Sequence, residues 1–174
     1  ARGAHSIQTD PSNNFAFVPH IAGRGPNAIF QFRFDEDNGI LSPNDPPRVS
    51  PEEELGPRHF CFHPNGNTIY FSNEQACSVT AYRFDHAAGT LSAFQTISTL
   101  PQGYEGDNTC AQIQISPNGR FLYAPNRGHN SVASFTVDPA TDELTVIGQT
   151  PSEAVPRVIC VDPQGRFCLL YTSD

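Results

Sequence analysis

Lysine, methionine and tryptophan are all missing from this chain of 174 residues. Without a lysine amine, this segment cannot form a Schiff base with a carbonyl substrate. The missing methionine, and a first residue that falls inside a repeat, lead us to expect that the native N-terminus has been lost. The lack of a visible signal segment therefore carries no weight. No apolar run approaches the roughly 20 residues that cross a bilayer as a helix. Positive charge is scarce, with ten arginines against eighteen acidic residues and a net charge of −8. That balance argues against nucleic acid or an anionic membrane as partner, because phosphates need a basic face. Helical periodicity is absent, whereas sixteen prolines and thirteen glycines punctuate short apolar runs, so the fold class is all-β. The five cysteines, Cys61, Cys77, Cys110, Cys160 and Cys168, are odd in number and show no C-x-x-C spacing. Neither a zinc site nor a disulfide framework is expected. Cys61 and Cys160 hold equivalent mid-strand places and read as small buried residues. Free thiols point to a reducing, cytoplasmic compartment.

What is present is a repeat. Asp10-Pro11-Ser12-Asn13, His63-Pro64-Asn65-Gly66, Ser116-Pro117-Asn118-Gly119 and Asp162-Pro163-Gln164-Gly165 place their prolines 53, 53 and 46 residues apart. Such a period means stacked copies of one supersecondary unit. Proline fixes φ, and Asn or Gly accepts positive φ, so each signature reads as a two-strand turn. Before it runs an alternating segment (Ile7/Thr9, Phe60/Phe62, Ile113/Ile115, Ile159/Val161). After it come Phe15 to Pro19, Ile69 to Ser72 and Phe121 to Pro125, then Ala28 to Phe34, Val79 to Phe84 and Val132 to Val137. A weaker fourth run starts near Leu41, Leu91 and Leu144. Four antiparallel strands per copy make the blade of a β-propeller. The expected domain is residues 1–174, about three blades and the start of a fourth, hence a partial arc of a larger ring. The final 168–174 lack the Asn-rich ending of earlier copies and are read as a candidate non-native tail.

Strand polarity locates the chemistry. The start of the first strand and the end of the second lie at one end of an antiparallel sheet. Six residues before the turn proline stand His5, Arg58, Ala111 and Arg157, and ten after it Ile21, Glu74 and Arg127. One rim therefore gathers His5, Arg58, Glu74, Arg127 and Arg157, with His20, Asn73 and Asn126 as an adjoining hydrogen-bonding row. Converging guanidiniums suit a carboxylate or phosphate and can hold an oxyanion. A Glu and a His beside them can move protons near neutral pH. The structural alternative is that Glu74 and an arginine form an ion pair between blades. His59 and His63 flank a strand and read first as packed or turn histidines, and His59 is also kept as a candidate substrate contact. No G-x-S-x-G elbow supports a serine nucleophile. Glu52-Glu53-Glu54 reads as a solvated loop. Asp10, Asp162, Glu105 and Asp107 lack EF-hand spacing, and no metal site is expected.

The stretch from Gly56-Pro57-Arg58-His59-Phe60 to Pro64-Asn65-Gly66, then Asn73-Glu74, Ser116-Pro117-Asn118-Gly119-Arg120-Phe121-Leu122-Tyr123 and Asn126-Arg127-Gly128-His129-Asn130-Ser131, resembles the seven-bladed propeller lactonases. That family includes bacterial 6-phosphogluconolactonases and fungal carboxy-cis,cis-muconate cyclases. His5-Ser6 ahead of Asp10-Pro11, and Gln149 to Asp162 with Pro156-Arg157, are similar to the flanking blades, so the likeness covers residues 4 to 167. It implies an intramolecular ester as substrate or product, a small anionic lactone as ligand, and no metal or other cofactor. In the cyclase branch the site is a His, two Arg and a Glu, and His5, Arg58, Glu74 and Arg127 look like those positions. By the lactonase reading, Arg58 and Arg127 anchor the anionic substrate while His5 or Glu74 activates water. Arg157, Asn73, Asn126 and His59 would be substrate contacts. Pro101 to Thr109, with Glu105 and Asp107, is hard to match to the family. Within the enzyme class the cyclase reaction is the alternative, and outside it a non-catalytic propeller that binds a sugar acid or a protein.

Overall fold

The turns build the sheets. In this computed structural model, which describes residues 2–173, the residue two after each signature proline has positive φ: Asn13 at 56°, Gly66 at 77°, Gly119 at 72° and Gly165 at 68°. The residue before each proline closes the turn with its side chain. Asp10 Oδ1 accepts the Phe15 amide at 2.7 Å, His63 Nδ1 the Asn65 amide at 3.1 Å, Ser116 Oγ the Phe121 amide at 3.0 Å and Asp162 Oδ1 the Phe167 amide at 2.8 Å. One local device, an acceptor followed by proline and a left-handed residue, thus sets the first hairpin of every copy.

Three four-stranded antiparallel sheets follow in chain order. The first is β1 (Gln8–Thr9), β2 (Phe15–His20), β3 (Ala28–Asp35) and β4 (Ile40–Val49). The second is β5 (Pro57–Phe62), β6 (Thr68–Asn73), β7 (Ser78–Asp85) and β8 (Thr90–Ser98). The third is β9 (Gln114–Ile115), β10 (Phe121–Asn126), β11 (Ser131–Val137) and β12 (Leu144–Pro151). A hairpin of β13 (Pro156–Val161) and β14 (Cys168–Thr172) completes the arc. No helix occurs among the described residues. Ala1 and Asp174, the ends of the expected 1–174 domain and, for Asp174, of the expected 168–174 tail, lie outside them. Strand β5 touches β9, and β9 touches β13, so the first strands of successive sheets run side by side. This is the blade arrangement of a β-propeller, and the sequence expectation of an all-β partial arc holds.

The core lies between blades. Both faces of β6 are buried, and its alternating residues supply two different cores. Ile69 and Phe71 turn to the first blade and pack with Phe15, Phe17, Phe60 and Phe84. Tyr70 turns to the third blade and packs with Ile113, Leu122 and Phe135. Phe17, fully buried, meets Phe60, Phe62 and Phe84 with ring centroids 5.6 to 6.3 Å apart. On β13 and β14 no further sheet packs, and Phe167, Leu169 and Tyr171 are 68%, 74% and 66% exposed. This corrects the reading of Cys160 as a buried residue: it is exposed on that hairpin, while its counterpart Cys61 is half-buried.

A polar latch joins the second and third blades. Asp142, at the β11–β12 turn and 6% exposed, accepts from Thr68 Oγ1 at 2.7 Å, Asn65 Nδ2 at 3.1 Å and Arg83 Nη1 at 3.0 Å. Its carbonyl takes the Tyr70 hydroxyl at 2.7 Å. Burial opposes the charge. Hydrogen bonds from Thr68 and Asn65, then the charges of His63 and Arg83, outweigh it and hold the carboxyl below its ordinary value of 3.8. A carboxyl depressed on folding stabilises fully above that value and loses its contribution as pH falls through the lower folded value. Asp142→Ala should therefore cost about 1–3 kcal/mol in urea unfolding at neutral pH, with a smaller difference from the parent well below pH 3.8. An equal cost at both pH values would count against the ionic latch.

Candidate active site

The hairpin registers carry charged groups from separate blades to one opening. In the second blade Pro57 pairs with Asn73, so Arg58 and Glu74, each beside one of that pair, sit at the same end of the sheet. The arc brings Arg127 to them from the end of β10, Arg157 from the start of β13, and His5 from just ahead of β1. All five line one cleft of about 740 Å³, together with Gly3, Ala4, Ile21, Ala22, Gly23, Arg24 and Gln75.

Glu74 is the hinge of the charges. Its Oε2 is in direct ion contact with Arg58 Nε and lies 3.2 Å from Arg127 Nη2. The carboxylate thus bridges an arginine of its own blade to one of the next, and the structural alternative weighed from the sequence is realised inside the cleft itself. These are charge contacts rather than aligned hydrogen bonds: Arg58 Nε, Arg127 Nε and Glu74 Oε2 are all buried without an aligned hydrogen-bond partner. Arg58 is only 4% exposed. Burial first, then repulsion from Arg127, hold its pKa below the ordinary arginine value, with Glu74 opposing. Arg127 Nη2 also donates to the Cys110 carbonyl at 2.8 Å, which fixes the guanidinium against the third blade.

The histidines divide into two kinds. His5 is exposed on the rim, with Nδ1 3.0 Å from the Gly3 carbonyl. A carbonyl can only accept, so Nδ1 carries the proton and Nε2 keeps its lone pair. His59 stands behind Arg58, outside the cleft lining, with its ring 6.4 Å from that of His5. Burial, then the charges of Arg58 and His5, push its pKa down to about 4. A neutral His59 accepts Arg58 Nη1 at 2.7 Å through Nδ1. It is therefore a support for Arg58, not the substrate contact expected from the sequence.

Asn73 and Asn126 are corrected too. Each is next to a cleft residue, but successive side chains on a strand point to opposite faces. Asn73, 1% exposed, donates to Ser78 Oγ at 2.9 Å and Thr80 Oγ1 at 2.8 Å. Asn126, fully buried, is held by Thr99 and Asn108. His20, in the same row, donates to the Arg2 carbonyl at 2.9 Å and its ring lies tilted against Phe30. It faces a separate apolar hollow of about 830 Å³ on the outer face of the first sheet. His63 is the turn residue expected, with Nε2 3.1 Å from the Gly119 carbonyl of the next blade.

Arg24 and Gln75 line the cleft without having been singled out from the sequence. Gln75 directly follows Glu74, and its Oε1 accepts the Ala22 amide at 3.2 Å, so the repeat position one beyond Glu74 carried that signal. Arg24 lies in the β2–β3 connection, which is longer than its counterparts in the later blades. The segment 101–109 reaches the same rim: Asp107, Asn108 and Thr109 form a side hollow with Arg127. Among the described residues no grouping of three or more His, Cys, Asp or Glu could hold a metal ion. Chemically, the arrangement offers guanidinium donors around a carboxylate and one imidazole with a free lone pair.

Comparison with known proteins bears on the family and the fold. The family described as "Lactonase, 7-bladed beta-propeller" matches residues 1–173. The 6-phosphogluconolactonases of Pectobacterium carotovorum and Klebsiella pneumoniae are each 34% identical over 167 residues, 96% of this chain and 49% of theirs. The solved structure of the periplasmic gluconolactonase of Pseudomonas aeruginosa superposes with a TM-score of 0.89 at 29% identity, over 97% of this chain and 47% of that one. The chain spans about half the length of the curated relatives it matches. Repeat period, blade architecture and the family match agree, and this chain belongs to the seven-bladed β-propeller lactonase family.

Proposed function

We propose that the ring of which this arc is part hydrolyses a sugar-acid lactone, in the manner of a 6-phosphogluconolactonase. The observation that carries this reading is the single cleft shared by Arg58, Glu74, Arg127, Arg157 and His5, drawn from four successive blades. Arg58 and Arg127 donate to the lactone carbonyl oxygen. Arg58 Nε and Arg127 Nη2 face Glu74, so the remaining guanidinium N–H groups are the ones offered to the oxyanion that forms when the carbonyl is attacked. Arg157 and Arg24, at the margins, face the phosphate or carboxylate of the substrate. His5 Nε2 takes a proton from water as the oxygen attacks the carbonyl carbon, and the tetrahedral intermediate then expels the ring alkoxide. The proton on His5 returns to that alkoxide, leaving the open-chain acid. Glu74, occupied by two guanidiniums, fixes their spacing, and this favours His5 over Glu74 as the base.

A carboxymuconate cyclase activity is the second reading, favoured by the His, two Arg and Glu set: there a carboxylate oxygen of the substrate adds to a carbon–carbon double bond of the same molecule while the neighbouring carbon takes a proton, so the imidazole would act as acid rather than base. The unpaired thiols support the cytoplasm as compartment; the Pseudomonas relative is, by its name, periplasmic. The test is to assay the complete ring with 6-phosphogluconolactone and with a carboxymuconate, subtracting spontaneous lactone hydrolysis. Turnover of the first supports the lactonase reading and turnover of the second alone the cyclase. Saturable binding without turnover of either would leave a ligand-binding propeller.

A further inference from the structure

The seam between the second and third blades differs from its neighbours. In the first blade the β2–β3 turn ends on Asn27, with φ 51°, whose Oδ1 accepts the Gly56 amide of the next blade at 2.9 Å. In the third blade the β10–β11 turn has Asn130, with φ 54°, whose Oδ1 accepts the Val155 amide at 3.0 Å. The equivalent place in the second blade is Cys77, with φ 50°. Asparagine tolerates the left-handed region and cysteine does so poorly, so the exchange gives up both a comfortable backbone residue and an inter-blade hydrogen bond.

What the exchange provides is a second thiol. Cys77 and Cys110, 7% and 0% exposed, lie against each other across the seam. The hydroxyl of Thr99 touches both, 2.8 Å from the Cys77 carbonyl and 3.2 Å from Cys110 Sγ. Cys77 Sγ also faces the Asn108 carbonyl at 3.2 Å. Both thiols are free.

We propose that Cys77 and Cys110 are a peroxide-responsive dithiol that closes to a reversible disulfide between blades. In the first step the Cys77 sulfur attacks one oxygen of hydrogen peroxide, giving a sulfenic acid and one water. In the second, Cys110 sulfur attacks the Cys77 sulfur and a second water leaves. Two thiols lose two electrons and two protons, and one peroxide becomes two waters. The neighbouring Cys110 thiol, acting against burial, lowers the pKa of the Cys77 thiol, which favours it as the attacking sulfur. Cys77 and Cys110 also border the charge cluster through their neighbours: the Cys110 amide donates to the Glu74 carbonyl at 3.2 Å, and the Cys110 carbonyl holds Arg127.

The readout is covalent and so independent of the lactonase reading. In full-length protein carrying Cys160→Ser and Cys168→Ser, which removes the two exposed thiols, low peroxide should consume two thiols. Digestion after arginine should then join the peptide 59–83 to the peptide 84–120, with Cys61 alkylated. Dithiothreitol should reverse the link, and the oxidised form should melt a few degrees higher, since the bond ties two blades together. Cys110→Ser, conservative in size, should instead leave Cys77 trapped as a dimedone-reactive sulfenic acid. Recovery of both cysteines fully alkylated, or of Cys77 only as sulfinic or sulfonic acid in the parent, would overturn the proposal.

Discussion

Arg58→Ala is expected to lower kcat/KM of the complete ring by about 10²–10³-fold while the protein still unfolds in one cooperative transition. Arg58 is the most connected charge in the cleft: it contacts Glu74, rests on His59 and faces Arg127. On the proposed scheme, removing it takes away a donor to the developing oxyanion, and it frees Glu74 to lean on Arg127 alone. The remaining pair stays neutral overall, so no lone buried charge is created and the stability cost is smaller than for Glu74→Ala, which would leave two guanidiniums facing each other. Arg58→Lys keeps the charge but not the planar fork that reaches both Glu74 and His59, and should recover only a small part of the activity. Steady-state hydrolysis with the spontaneous rate subtracted, beside a melting curve, makes the comparison. Arg58→Ala with parental kcat/KM would remove this cleft as the site.

The extent to which this was legible in the sequence follows from how local each feature is. The turn signature is local chemistry within about six residues, so the blades could be counted without a structure. The rim was legible because antiparallel pairing ties Arg58 to Glu74 whatever the rest of the ring does. Asn73 and Asn126 failed by one residue: a single step along a strand reverses the face, and counting from the proline ranked both neighbours alike. His59 could not be assigned because its role depends on the buried guanidinium beside it. Arg24 sits in a connection that is shorter in the other blades, so no repeat position pointed to it. The contact of Cys77 with Cys110 crosses two blades, and no spacing rule covers that, although the substitution of Cys77 for the turn asparagine was in plain view once the repeats are aligned. Cys160 went wrong for the opposite reason, since its strand is buried only where another sheet covers it.

His5→Gln is expected to cause the other large loss, about 10²–10⁴-fold in kcat, with no change in melting temperature. His5 is exposed and its ring hydrogen-bonds to the Gly3 carbonyl, a contact the fold does not depend on. Glutamine can keep that bond and remain polar but cannot take a proton from water. The split between kcat and KM separates loss of the base from loss of binding. In His5→Gln kcat should fall while KM changes little. In Glu74→Gln the defect lies in the spacing of Arg58 and Arg127 and should show chiefly in KM. If instead His5→Gln keeps the parental kcat and Glu74→Gln loses it with KM unchanged, the proton acceptor is the carboxylate. The two guanidiniums on Glu74 would then have to part from it when substrate enters, each turning from the carboxylate to the lactone oxygen.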